Sequence, residues 1–263
     1  MKNSKALYNK IGIGYNNTRK PDKYILKKII ELLQPEKEKL YLDIGCGTGN
    51  YTVEIANEDF NFIGVDPSEK MLESARTKSN QINWKIGTAE SIPAENDVFD
   101  GIIGVLTIHH WTNLEKAFTE LYRTLKVNGK IVLFTSTSEQ MKGYWLNKYF
   151  PKMLKESINQ MPTFEEIKTA SEKAGLKIIN TEKYFIQNDL EDLFLYAGKN
   201  RPKLYLDENV RKGISSFANL SLKEEVEKGL STLENDVQSN EIEKTINRYK
   251  NNDGDYLFIQ IEK

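Results

Sequence analysis

Short apolar runs rich in β-branched and aromatic residues recur through the first half of the chain. They read "LYLDIG" (40–45), "NFIGVD" (61–66), "INWKIG" (82–87), "FDGIIGV" (99–105) and "KIVLFTS" (130–136). Between them the apolar spacing changes from two to about 3.6 residues, which predicts helices over 24–33, 67–78 and 113–129. In the last of these Leu114, Ala117, Phe118, Leu121 and Leu125 share one face, Asn113 is placed to cap the start, and Asn128-Gly129 to stop it. Strands alternating with helices predict a parallel sheet covered by helices on both faces.

The second half follows another rhythm. "TFEEIKTASEKAGL" (163–176) begins with a Thr163/Glu166 capping box and ends at Gly175. A sixth strand is expected over 176–186 and a last one over 255–263, with some 65 residues between them that show no strand pattern. Within that stretch "SLKEEVEKGLSTLENDV" (221–237) is expected to open on a Ser221/Glu224 box and to carry one apolar stripe, Leu222, Val226, Leu230, Leu233 and Val237. The pattern as a whole is an α/β fold, an open sheet with helical insertions over 138–175 and 188–252, lead-in helices over 1–35 and a core over 36–137. The insertions can serve as a substrate cap, or be a helix pair packed on the sheet edge. No internal repeat is present.

Composition narrows the function. Lys+Arg 37 against Asp+Glu 38 leaves a net charge of −1, without the basic excess typical of nucleic-acid binders. A single cysteine, Cys46, excludes a disulfide framework and thiolate metal clusters. "MKNSKALYNK" has no apolar signal core, and no apolar run approaches a membrane span, so a cytoplasmic protein without membrane partners is expected.

The most informative segment is "YLDIGCGTGNYT" (41–52), a strand, then Gly45, Gly47 and Gly49, then a helix. Glycines at such a turn let a ligand approach the backbone, at the carboxyl end of a strand where open α/β sheets bind ligands. A dinucleotide favours G-x-G-x-x-G, whereas the spacing here is G-x-G-x-G with Asp43 two residues ahead. A carboxylate repels a pyrophosphate and suits a ligand carrying an ammonium or sulfonium group, such as S-adenosylmethionine. Asp66, ending the second strand, is placed for ribose hydroxyls. Pro67 and Ser68 start the next helix, Met71 can lie against an adenine, and Thr88, Ala89 and Glu90 can edge its pocket.

"LDIGCGTGNYT", "GVDPSEKML", "GTAESIP", "NDVFDGIIGVLTIHHW" and "LKVNGKIVLFT" together resemble, in order, the motifs of class I S-adenosylmethionine-dependent methyltransferases over roughly residues 8–136. The resemblance implies a Rossmann-like, seven-stranded, mostly parallel sheet whose last strand is antiparallel. It implies contacts from Asp43, Gly45 and Gly47 to the methionine end of the cofactor, from Asp66 to the ribose, from Ala89 and Glu90 near the adenine, and from Leu106 at the fourth strand's exit. Many relatives carry Asp where Thr88 stands. "YNKIGIGYNNTR" (8–19) is similar to the family's lead-in, in which Tyr15 would close over the cofactor and Arg19 would pair with its carboxylate; the alternative is a surface segment. "RPKLYL" and "VRKGISSFANL" are similar to a subgroup of bacterial methyltransferases.

The only two histidines, His109 and His110, fall where the transferable methyl is expected to point. An amine or hydroxyl acceptor must lose a proton, and histidine is the usual base near neutrality. Read as an extended segment, the dipeptide would turn one ring to the acceptor, His110, and leave His109 packed or hydrogen-bonded. Pocket lining and a purely structural role are the alternatives. A metal site is disfavoured, since adjacent histidines seldom converge on one ion. The absence of a proline-bearing turn in "GVLTIHHW" argues against a DNA-adenine acceptor, and the lone cysteine against a metalloid. A small-molecule acceptor methylated at N, O or C is the leading expectation, an RNA or protein acceptor or a non-catalytic cofactor-binding module the alternatives, and a homodimer is compatible with the chain. Tyr144, Trp145, Tyr149, Phe150, Phe194, Tyr196 and Phe217 would line the acceptor pocket or form core.

Overall fold

The computed structural model describes residues 18–263; expectations for the lead-in before Thr18, including Tyr15, lie outside the described residues. Seven strands form one sheet: β1 (Leu40–Ile44), β2 (Asn61–Asp66), β3 (Asn83–Ile86), β4 (Phe99–Val105), β5 (Leu125–Thr135), β6 (Lys177–Tyr184) and β7 (Tyr256–Glu262). Their order is β3-β2-β1-β4-β5-β7-β6, and β7 runs antiparallel to both neighbours while the other pairings are parallel. This is the expected Rossmann-like architecture.

The period-two alternation of strand residues decides which core each joins. Tyr41, Ile103, Val132 and Phe134 face one side, with the helices α1 (Lys23–Leu33) and α2 (Asn50–Ala56). Leu42, Ile102 and Leu133 face the other, covered in part by a later helix carrying Phe118 and Leu121. α1 buries Ile25, Ile29, Leu32 and Leu33, each worth roughly 1.5–3 kcal/mol of transfer free energy. The helix α3 (Glu69–Lys78) opens on Ser68, whose hydroxyl accepts from the Met71 N–H, so it starts where the Pro67-Ser68 pair predicts.

The helix carrying Phe118, α4 (Leu114–Thr124), is capped by Asn113 as expected but ends earlier than the Asn128-Gly129 stop. The Arg123 and Thr124 carbonyls accept from the Asp97 and Val98 N–H groups, and Leu125 pairs with Phe99 in the sheet. Leu125 therefore belongs to β5, which begins five residues before the expected strand.

Three helices and a turn separate β5 from β6: α5 (Ser138–Lys142), the turn over Trp145–Lys148, α6 (Pro151–Gln160) and α7 (Phe164–Lys173). α7 shows the Thr163/Glu166 capping box and the left-handed Gly175 that its sequence predicts. It packs on α4, whereas α6 joins the opposite core. Between β6 and β7 lie α8 (Glu208–Lys212), α9 (Ser215–Asn219), α10 (Lys223–Gln238) and α11 (Glu241–Arg248). The Ser221/Glu224 box is absent: α10 starts at Lys223 with no side-chain cap, and Leu222 is 55% exposed. The Ser221 hydroxyl donates instead to the Phe217 carbonyl of the preceding helix. Leu233 is fully buried, and Val226, Leu230 and Val237 pack beside it.

Candidate active site

Three strand exits shape the floor of the site. β1 hands over to the glycine turn, whose Gly45 and Cys46 N–H groups both donate to the Val65 carbonyl on β2, at 2.7 and 3.1 Å. Gly45, Gly47 and Gly49 all take positive φ, which side chains disfavour. A Cβ on Gly45 would lie 1.9 Å from Thr107 Oγ1, so the close approach of β1 and β4 also demands glycine there. At Gly47 the added Cβ would meet nothing within 4 Å; here the bare backbone borders a cavity.

Asp66 holds this turn from β2, accepting from the Gly47 N–H at 2.9 Å and the Ser68 N–H at 2.8 Å. Asp43 is buried, and Thr52 donates to its Oδ2 at 2.6 Å. Burial, against the Thr52 hydrogen bond and with the nearby Asp66 charge, pushes its carboxyl up to about 7. Such a group is easily driven to its charged form by a cation beside it. From α3, Lys78 donates to the Thr48 carbonyl at 2.8 Å, to its hydroxyl at 3.0 Å, and to the Asn50 side chain, with its pKa lowered by burial to about 8. Lys78 was invisible as a loop brace in the sequence, where it ends an ordinary amphipathic helix.

The β4 exit forms the adjoining wall. Leu106 has φ 53°, an uncommon conformation for a branched side chain, and its N–H donates to the Phe134 carbonyl at 2.7 Å. The strand then tightens into a 3-10 turn, Ile108–His110. This corrects the extended reading of the dipeptide: in the turn both histidine rings lie on the cavity side, with centroids 3.8 Å apart. Glu90, from the loop after β3, fastens the turn by accepting from the Thr112 N–H at 2.5 Å, its hydroxyl at 3.0 Å and the Asn113 N–H at 3.2 Å.

The two rings differ in what they offer. His109 Nδ1 is buried without a hydrogen-bond partner. Burial holds the His109 pKa well below the usual histidine value, with His110 and Arg19 adding repulsion, and burial lowers His110 to about 4. Both rings are therefore neutral at pH 7, and neutral imidazole is the form that can accept a proton.

These walls border a cavity of about 380 Å³, within the usual size range of small-molecule sites. Asp43, Gly45, Gly47, Asp66, Pro67 and Met71 line it, as do Thr88, Ala89, Glu90, Leu106, His110 and Arg19. Every candidate cofactor-binding or catalytic residue within the described part of the chain thus reaches one space. The guanidinium of Arg19 is paired with the buried Asp192, which also accepts from the Tyr51 hydroxyl at 3.2 Å. Of the seven aromatics considered for an acceptor pocket, Phe194 lines the cavity; Tyr144, Trp145, Tyr149, Phe150, Tyr196 and Phe217 are core, with Tyr144 and Tyr196 stacked at 3.8 Å. Thr107, Ser157, Asp192, Ser216 and Asn219 also line the cavity. Thr107 carried a sequence signal, a hydroxyl at the end of a buried strand, and the others carried none.

A family model described as a methyltransferase domain matches residues 42–133. The chain is 33% identical over 177 residues to an uncharacterised methyltransferase of Alkaliphilus oremlandii, covering 66% of this chain and 73% of the relative. Across the first curated relatives, the chain spans between 26% and 73% of their length. Among solved structures it is similar to a protein of Anabaena variabilis described as a methyltransferase from an antibiotic biosynthesis pathway, at 37% identity and TM-score 0.82, covering 92% of this chain and 98% of that one. The phosphoethanolamine N-methyltransferase 2 of Haemonchus contortus in complex with S-adenosyl-L-methionine shares the fold at 19% identity and TM-score 0.64, covering 99% of this chain and 58% of that one. With its sheet order, its glycine turn and these likenesses, the chain belongs to the class I S-adenosylmethionine-dependent methyltransferases.

Proposed function

We propose that the protein transfers the methyl group of S-adenosylmethionine to a small organic acceptor held at the cap end of the cavity. One observation carries this reading: a single continuous space joins the glycine turn, the histidine turn and the cap helices α6 and α9. A concave site of this size suits a small molecule better than a nucleic acid or a folded protein. Among the described residues no helix is long and apolar enough to cross a membrane.

The residues present fit the cofactor. The bare backbone at Gly47 admits close approach, and the carboxylates Asp43 and Asp66 complement an ammonium group and ribose hydroxyls. The cofactor, when bound, supplies a methyl carbon activated by a sulfonium. On this reading residues 36–137 bind it, Met71, Thr88, Ala89 and Glu90 border its adenine, and helices from 138–175 and 188–252 shape the acceptor end.

The chain's remaining tasks are alignment and proton removal. An acceptor N or O would bond to the methyl carbon as the carbon–sulfur bond breaks, leaving the thioether S-adenosylhomocysteine, and the acceptor's N–H or O–H gives up a proton. His110, which borders the cavity and is neutral at pH 7, takes that proton; burial weakens His109 as a base. The His109 ring, its centroid 3.8 Å away at a 49° tilt, lines the same wall. Turnover is tested by S-adenosylhomocysteine release against a metabolite panel. Release with small molecules supports the reading; release only with tRNA or a protein substrate replaces it.

A further inference from the structure

Beyond the histidines the cavity wall is mostly apolar, with Phe194, Ile214 and Leu220 in it. Polar side chains also reach it, Ser136, Gln160 and Ser215 among them, and two polar features there keep hydrogen-bonding groups unmet. Asn219 Nδ2 is buried and has no hydrogen-bond partner. Ser157 and Ser216, both buried, share one hydrogen bond of 2.8 Å. Two hydroxyls joined by one bond keep one hydrogen to donate. Buried donors in native proteins are met by protein, ordered water or ligand. Both features ask for the same thing, an oxygen or nitrogen with a lone pair.

The charges restrict what that atom belongs to. Among the described lining residues Arg19 is the only cation, and it is ion-paired with Asp192. Asp43, Asp66 and Glu90 add carboxylates to the same space. A phosphate or carboxylate acceptor would enter a low-dielectric site with this excess of negative charge. An ammonium would bring hydrogens and no lone pair, leaving Asn219 Nδ2 without an acceptor.

We propose that the cap end selects an uncharged, largely apolar organic acceptor, and that a carbonyl or hydroxyl oxygen on it accepts hydrogen bonds from Asn219 and the Ser157–Ser216 pair. The proposal rests on the methyl-transfer reading above and adds the acceptor's chemical class. Asn219 and the serines bind the acceptor in this scheme and leave the cofactor end untouched.

The test uses the full chain with S-adenosylmethionine labelled at its methyl carbon. A small-molecule extract of cells expressing the gene is split by ion exchange into anionic, cationic and uncharged pools, with macromolecules as a fourth. Each pool is incubated separately. Label is expected to enter the uncharged pool. Asn219→Leu and Ser157→Ala/Ser216→Ala are expected to raise the acceptor KM about tenfold or more, with S-adenosylhomocysteine affinity by calorimetry kept within about twofold. Asn219→Asp keeps the side chain's shape and replaces the amide donor with a carboxylate that repels the acceptor's oxygen, so a KM rise of at least that size is expected even where the leucine variant folds poorly. Labelling of the anionic or cationic pool, or an unchanged KM in Asn219→Asp, overturns the proposal. Label confined to macromolecules, or to no pool while S-adenosylhomocysteine still binds, overturns the small-molecule reading itself.

Discussion

At the glycine end of the cavity, Asp43, Gly45, Gly47 and Asp66 come from two adjacent strand exits, and backbone N–H groups tie them together. At the cap end, Ser157 comes from one insertion and Asp192 and Asn219 from the other, and side chains do the tying: Arg19 to Asp192 across 173 positions, Ser157 to Ser216 across 59. The first end is fixed by the sheet, whose register leaves little freedom. The second is fixed by packing and a few polar contacts. A family can therefore keep its cofactor chemistry while the acceptor changes, because the two ends rest on different forces.

The largest effect should come from breaking the sheet-fixed end. Gly45→Ala places a methyl against Thr107 and strains a left-handed φ; a stability loss of about 2–4 kcal/mol is expected, with no cofactor binding detectable by calorimetry. Wild-type-like binding would show that strand register is not what protects this end. His110→Ala, at the boundary between the ends, should lower kcat about 10²-fold and leave S-adenosylhomocysteine affinity intact. If His109→Ala alone produces that loss, the proton goes to the other ring.

A smaller effect separates the ends by pH. Asp43, raised to about 7 by burial, is increasingly protonated as pH falls through that value, and a positively charged ligand favours its ionised form. Cofactor affinity should therefore weaken about tenfold from pH 8 to pH 6, and Asp43→Asn should flatten the curve. The histidines, held below their usual range, stay neutral throughout this window, so a pH response surviving in Asp43→Asn would assign it elsewhere. The smallest effects concern helix starts. Thr163→Ala, which removes a capping box under the sheet, should cost about 1 kcal/mol in denaturant unfolding. Ser221→Ala, at the uncapped α10 of the insertion, should cost less than about 0.5 kcal/mol.

The same division explains what could be read from the amino acids. All seven strands were legible because sheet residues obey a local period, and the glycine turn because its chemistry is packed into a few consecutive positions. The end of α4 was not, because its last carbonyls are claimed by Asp97 and Val98, a tertiary bond that no window of sequence contains. Ser221 looked like a cap for the same reason: its rival acceptor, Phe217 O, lies four residues back in a helix whose existence had to be known first. The histidines were found by rarity and position, yet their relative roles depended on a 3-10 turn that the extended reading missed. Asn219 and the serines carry no pattern at all; they matter through the space they share.

The place of β7 has a consequence for how the chain is made. β7 is the last strand in chain order, and it sits between β5 and β6. Until residues 256–262 leave the ribosome, β5 presents an open edge and β6 has no partner. Synthesis at about 5–20 residues per second separates the end of β6 from the start of β7 by roughly 4–14 s. During that interval the nascent protein carries an unpaired edge of the kind that invites association with other chains, so the helices encoded between residues 184 and 256 emerge while the sheet they will cover is still incomplete.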